Sequence, residues 1–366
     1  MLFKHLYVHV EKIIQARMHP GLYLCIAMDA TDQVKFGIPQ YRELTKLDGK
    51  LRLRSHLMIC VRDSGEGRDV DIYDTADNIF HDSNLTIECL HRSLLRHQQL
   101  HGGLPECLNL QMDNCVRENK NAYLFAFLAW LVERKVFRRV YISFLPVGHT
   151  HFICDQVASR ISVAVKHNDF YTRGEFHNLV RKCTSPRPFV EQVHYVTDCK
   201  GMMNPERDDN FRGSSISRPS GLTGPLHFRF ELDGDHAVIK VKKNASQEVW
   251  SHPYNIFERE GDDGKIVHTS GFDFADIGAA AFKEVAIDKL NLIKKNLDRC
   301  RVRSGEEAYA DQIREYNRLV GLPTGPEIPF DWANGGLYEP ELSGTLREPE
   351  GTNVVSFLII CSLYLR

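Results

Sequence analysis

A chain of 366 residues, 43% hydrophobic and 26% charged, is long enough to bury a substantial core as one large or two ordinary domains. Its 46 Lys and Arg against 48 Asp and Glu leave a formal net charge of -2, which excludes bulk attraction to polyanions; any nucleic-acid contact must come from a local basic patch. The ten cysteines are scattered without a Cys-x-x-Cys pair, which argues against a disulfide framework or zinc ribbon and for a reducing compartment, nuclear or cytoplasmic.

Leu6, Val10, Ile13 and Ile14 recur at helical spacing and predict an N-terminal helix within residues 1–20, stopped by Met18-His-Pro-Gly21. This stretch lacks the long apolar core and cleavage site of a signal peptide. Residues 23–29 are a nearly continuous apolar run ending in an acid, the pattern of a central strand covered on both faces. Residues 36–50 read as a polar connection, and 55–61 and 68–73 as a hairpin about Asp63-Ser-Gly-Glu-Gly67. A helix follows, with Asp82, Ser83 and Asn84 offering N-caps and Ile87, Leu90, Leu94 and Leu95 facing the core.

A second apolar strand, 108–113, ends in Asp113, and a helix burying Leu124, Phe127, Leu128 and Leu131 leads to a further strand at 140–145. Two more helices carry Val157, Ile161, Ala164 and Val165, then Phe176, Leu179 and Val180. Three strands with a hairpin, then strands alternating with helices, is the element order of the ribonuclease H-like fold, an α/β mixed sheet flanked by helices over residues 21–200. A polar linker covers 201–225. A β-hairpin extension at 226–255 turns at Asp233-Gly234, and Arg229, Lys240, Lys242 and Lys243 make it basic. A helical region spans 275–320. The tail 321–366 reads as weakly structured, and its apolar end at 354–365 is shorter than the ~17–25 residues of a membrane helix. No membrane contact is expected, and nothing in the pattern fixes an oligomeric state.

The chemistry-bearing residues gather at strand ends. Asp29 and Asp113 close two strands that lie side by side in the expected topology, and Asp155 opens the helix after the 140–145 strand. Three carboxylates are the right ligands for two hard cations, Mg2+ or Mn2+, which stabilise the attacking and leaving oxygens of phosphoryl transfer. Each aspartate is equally readable as a turn former or helix cap. His149 and His151 have a metal-ligand spacing. Gly148-His-Thr-His151 also matches one block of metallophosphoesterase-like hydrolases, whose upstream blocks this chain lacks; hydrogen bonding within a loop is the alternative role for these histidines. Asn114, Glu118, Asn119 and Lys120 crowd a single turn, either to orient Asp113 or contact phosphates, or simply to start a helix.

Two blocks, Gln111-Met-Asp-Asn-Cys-Val-Arg-Glu-Asn-Lys-Asn121 and Val147-Gly-His-Thr-His151 with Asp155 following, resemble a domain of unknown function in eukaryotic transposase-like proteins. Met28-Asp-Ala-Thr-Asp-Gln33 and Asp82-Ser-Asn-Leu-Thr-Ile87 are similar to its pattern too. The resemblance implies a core descended from enzymes that cut and join DNA with a metal-bound acidic triad. Asp29 and Asp113 carry over. At the third position the family's Glu-Asp after His-Thr-His is replaced here by Phe152-Ile153, and Asp155 alone remains. Two readings follow: a two-metal DNA nuclease or strand transferase using Asp29, Asp113 and Asp155, with His149 or His151 positioning the phosphate; or a catalytically inactive, domesticated nucleic-acid- or protein-binding module with a weak contact surface at Arg229, Lys240, Lys242 and Lys243.

Overall fold

The computed structural model describes residues 2–32, 35–42, 51–65, 67–145, 152–202, 224–255, 258–260, 266–268, 280, 283 and 285–320. Its elements in chain order are α1 (Leu2–Met18), β1 (Tyr23–Ala30), β2 (Phe36–Ile38), β3 (Leu53–Ser64), β4 (Gly67–Thr75), α2 (Ser83–His101), β5 (Cys107–Met112) and α3 (Ala122–Glu133). Then come β6 (Arg139–Phe144), α4 (Ile153–His167), α5 (Arg173–Cys183), β7 (Phe189–Val193), the single turn α6 (Cys199–Met202), β8 (His227–Asp233) and β9 (His236–Lys242). The short strands β10 (Tyr254–Asn255), β11 (Glu258–Glu260) and β12 (Ile266–His268) precede α7 (Ile287–Ser304) and α8 (Glu306–Val320).

A mixed ten-stranded sheet runs β10-β9-β8-β6-β5-β1-β3-β4-β7, with β2 paired to β3. β1, β5 and β6 are mutually parallel, and β3 is antiparallel to both β1 and β4. The period-two alternation of strand side chains builds two cores. Leu24, Ile26, Met28, Leu108, Leu110, Val140, Ile142 and Phe228 meet α2 and α3 on one face. Ala27, Leu57, Ile59, Val61 and Ile72 meet α4, α5, α7 and α8 on the other. α3 is apolar all round and buried from Leu124 to Val132, as a helix roofed on every side must be. Phe125 packs at 4.7 Å from Phe228 and 6.2 Å from Phe144, centroid to centroid, so aromatic contacts fasten α3 to β6 and β8.

Several elements differ from expectation. Residues 36–38, read as connection, form β2, because Phe36 and Ile38 are buried against β3. β7, absent from the sequence reading, adds a parallel edge strand beside β4. The basic hairpin β8–β9 is continuous with the central sheet through β6. Within the expected helical region α7 begins at Ile287, while 269–279 lie outside the described residues. The expectations for most of the 201–225 linker and for the tail 321–366 lie outside the described residues. All cysteines among the described residues are free, most of them buried. No helix among the described residues is long and apolar enough to cross a membrane.

Candidate active site

The parallel register of β1 and β5 pairs Ala27 with Gln111. Two residues further along both chains stand Asp29 and Asp113, brought to the same sheet face by the period-two pleat. That face is roofed by α4, whose first turn carries Asp155. Each aspartate spends one oxygen on its own loop. Asp29 Oδ1 accepts from Ala30 N at 2.9 Å, Asp155 Oδ2 from Phe152 N at 3.1 Å, and Asp113 Oδ1 from Cys115 N at 3.3 Å and from the Asn119 amide. Among the described residues the second oxygen of each has no hydrogen-bond partner, which leaves three hard donors for a ligand.

Electrostatics tie these groups together. The Asp29 carboxyl is pushed up to about 7, first by burial and next by the charge of Asp113; Asp155 and Glu118 add to the push, and the Ala30 N–H opposes it. Glu118 is raised as well, by burial first and then by Asp113. Glu118 therefore belongs to the same carboxylate field. No three His, Cys, Asp or Glu side chains among the described residues stand close enough to enclose an ion.

The loop holding Asp113 is built from the motif residues. Asn119 N and Lys120 N donate to Cys115 O at 2.8 and 2.9 Å, closing a tight turn. Asn121 caps α3 by accepting from Tyr123 N and Leu124 N, both at 3.1 Å. Arg117 donates twice to His81 O, at 3.0 and 2.8 Å, and Thr86 Oγ1 donates to Asn119 Oδ1 at 3.2 Å. The Asp82-to-Ile87 and Gln111-to-Asn121 blocks thus meet in space. Gln111 donates to Ser143 O at 3.0 Å and ties β5 to β6. Lys120 stands over the rings of Phe144 and Phe228, at 5.5 and 5.9 Å, on the face opposite the aspartates, and burial lowers its ammonium. Asn114 Oδ1 is buried without a partner among the described residues.

The departure at the third acidic position has a structural counterpart. Phe152 is 5% exposed, packed in the core beneath α4, and Cys154 Sγ lies 3.5 Å from Ala27 O and 3.6 Å from Ile59 O. Phe152 thus fills with an apolar ring a place the resemblance assigns to an acid, and Ile153, at the second such place, packs partly buried against the same core. His149 and His151 fall in 146–151, outside the described residues.

The hairpin's basic residues are partly neutralised. Glu231 accepts from Arg229 at 3.1 Å and Lys240 at 2.8 Å and pairs with Arg139 at 2.9 Å. Burial acts to raise the Glu231 carboxyl, but these three cations outweigh it and hold it low. Arg229 and Lys242 also stand over the Trp250 ring, at 4.8 and 4.5 Å; Lys243 is exposed. The pairs Gln111↔Ser143, Ser143↔His227 and His227↔Lys242 form one cross-strand row on the aspartate face. Lys242 therefore lies three strands from β5, on the order of 14 Å away.

Glu118's coupling to Asp29 and the part played by Thr86 were not visible in the sequence spacing. The only signal for either was membership of a motif block.

Fold and site together define a mixed α/β protein with a carboxylate cluster at the ends of two adjacent parallel strands in the middle of its sheet. The chain belongs to the family described as a domain of unknown function, DUF7869, which it matches over residues 45–248. That span includes Asp113, Glu118, Asn119, Asp155 and the β8–β9 hairpin, while Asp29 precedes it. No curated protein and no solved structure matches the chain.

Proposed function

We propose that the chain is a ribonuclease H-like, transposase-derived core whose aspartates serve metal-dependent cutting or joining of DNA. The strand order β4-β3-β1-β5-β6, with β3 alone reversed, supports that fold. The single observation that carries the activity is the shared register of Asp29 and Asp113 under α4, with Asp29 pushed up to about 7 by burial and by its acidic neighbours. A buried cluster of like charges is costly to a fold and is found where a site needs it.

By donor chemistry, though not by their spacing in this structure, the carboxylates suit hard divalent ions, Mg2+ or Mn2+: the set is all oxygen, and each aspartate keeps one oxygen outside its local hydrogen bonds. On this reading Asp29, Asp113 and Asp155 would close up to hold two such ions. When bound, they supply Lewis-acid stabilisation of the attacking and leaving oxygens in phosphoryl transfer. Asn119 holds Asp113 in place, and Lys242 and Lys243 offer positive charge to the backbone of a DNA strand lying across the same side of the sheet.

A second reading, an inactive binding module, is favoured by one observation: Phe152 is buried where the family pattern has an acid. Labelled single- and double-stranded oligonucleotides incubated with the protein and Mn2+ discriminate the two. Cleavage or joining that disappears in Asp29→Asn, in Asp113→Asn and with chelator supports the nuclease. Binding without turnover supports the module. Neither outcome in wild type sinks both.

A further inference from the structure

Asp113 can present a defined oxygen to a ligand only if its carboxylate is prevented from rotating. The β5–α3 loop achieves this with a side chain. The Asn119 amide nitrogen donates to Asp113 Oδ1, the same oxygen that accepts from Cys115 N at 3.3 Å. An asparagine amide has a donor end and an acceptor end of nearly equal size, and a half-turn would set carbonyl oxygen against carboxylate oxygen. The carboxylate of Asp113, which only accepts, takes the NH2 end. Thr86, from α2, holds the other end: its hydroxyl donates to Asn119 Oδ1 at 3.2 Å, so the amide is fixed between α2 and Asp113.

Both residues are buried, Thr86 at 1% and Asn119 at 7% exposure, so solvent has little access to compete for these bonds. The donor's helix is itself anchored to the loop. Asp82 caps α2 by accepting from Asn84 N at 3.0 Å, Ser83 Oγ donates to Arg117 O at 3.4 Å, and Arg117 grips His81 O.

We propose that Thr86 and Asn119 form a positioning relay for Asp113, Asn119 holding the carboxylate and Thr86 anchoring the carbonyl end of the Asn119 amide so that its NH2 cannot swing away. The consequence for cation binding rests on the metal-dependent reading above. The relay itself rests on hydrogen bonds alone, so the two can fail separately.

Thr86→Val removes the hydroxyl at nearly constant shape, and Thr86→Ser keeps it. Two measurements use these variants on the whole chain. The first is the side-chain amide spectrum of asparagine-15N-labelled protein in chelator, with the Asn119 pair assigned by its loss in Asn119→Ala. That pair is expected to shift in Asp113→Asn and in Thr86→Val and to stay in place in Thr86→Ser. The second is Mn2+ titration by calorimetry. Loss of a residue that orients a ligand costs about 10-fold to 100-fold in metal affinity; Thr86→Val and Asn119→Ala are expected in that range, and Thr86→Ser within about 2-fold of wild type.

An Asn119 pair indifferent to Asp113→Asn and Thr86→Val overturns the relay. So does a Thr86→Val protein that binds Mn2+ like wild type, or a loss shared equally by Thr86→Ser, which assigns Thr86 to packing. If wild type itself binds no Mn2+, the metal reading falls and the spectra alone decide the relay.

Discussion

Asp29→Asn isolates what the carboxylate cluster costs the fold. Burial and then Asp113 push the Asp29 carboxyl from its ordinary 3.8 up to about 7. Between those values the native state keeps a proton that the unfolded chain has released. Stability therefore falls as pH rises from about 4 to about 7, and stays low above that window. A gap of about 3 pH units at ~1.4 kcal/mol each is about 4 kcal/mol. This is an upper figure, because the side chain is partly open to water and its neighbours can relax. Asparagine keeps the shape and the acceptor for Ala30 N–H but carries no charge. In chelator at pH 8, Asp29→Asn is expected to be more stable than wild type by about 2–4 kcal/mol, and at pH 4 to match it closely. Urea unfolding followed by circular dichroism across pH 4–8.5 reads both. Parallel pH profiles for the two proteins, or a less stable variant at pH 8, would refute the claim that Asp29 is held among uncompensated acids.

Three further outcomes test the scaffold around the site. Asp74 is fully buried and bound by Arg173 at 2.6 Å, His177 at 2.7 Å and Ser55 at 2.5 Å; Asp74→Ala takes from the buried Arg173 one of its two carboxylate partners, Glu315 at 3.0 Å remaining, and is expected to cost about 3 kcal/mol in urea melts. Burial acts to raise the Asp74 carboxyl, but Arg173 and His177 outweigh it and hold it low. The wild type should therefore lose this contribution as pH falls below about 4, with a shallower acid limb in the variant. Asn121→Ala removes the α3 cap and is expected to cost about 1–2 kcal/mol by the same assay. Phe125→Ala opens a hole between α3, β6 and β8, at about 3–5 kcal/mol.

The parts of the fold that were legible in the sequence are those where one residue pattern has one physical solution. β1 and β5 are runs buried on both faces, β6 alternates buried and half-exposed residues, and α3 is an apolar helix between turn signals. β2 escaped because it has only the three residues Phe36-Gly-Ile and is buried by its partner β3 rather than by its own pattern. β7 escaped because Phe189–Val193 is short, half polar and follows Pro186 and Pro188. α2 was read as amphipathic, yet Glu88, His91 and Arg92 are buried too, the charges satisfied by an Arg92–Glu88 pair at 2.7 Å and an Arg92–Glu191 pair at 2.5 Å to β7. A partner nearly a hundred residues away cannot be inferred from local periodicity.

The site divides the same way. Asp29 and Asp113 could be marked because each closes a strand, and parallel pairing makes such positions neighbours. Whether the polar turn after Asp113 orients that carboxylate or meets substrate was undecidable from spacing, since the answer depends on α2. The structure puts Asn119 on Asp113 and turns Lys120 to the opposite face. The hairpin's charge was overestimated for a related reason: Glu231 lies within reach of Arg229, Lys240 and Arg139 only once β6, β8 and β9 are aligned.

The most direct test of the account is Mn2+ titration by calorimetry at pH 8 on wild type and Asp113→Asn. Asparagine preserves the loop's shape while removing the charge at the centre of the cluster. The account predicts saturable Mn2+ binding in wild type that is lost in the variant. Equal binding in both proteins, or none in either, would contradict a cation site built on Asp29, Asp113 and Asp155.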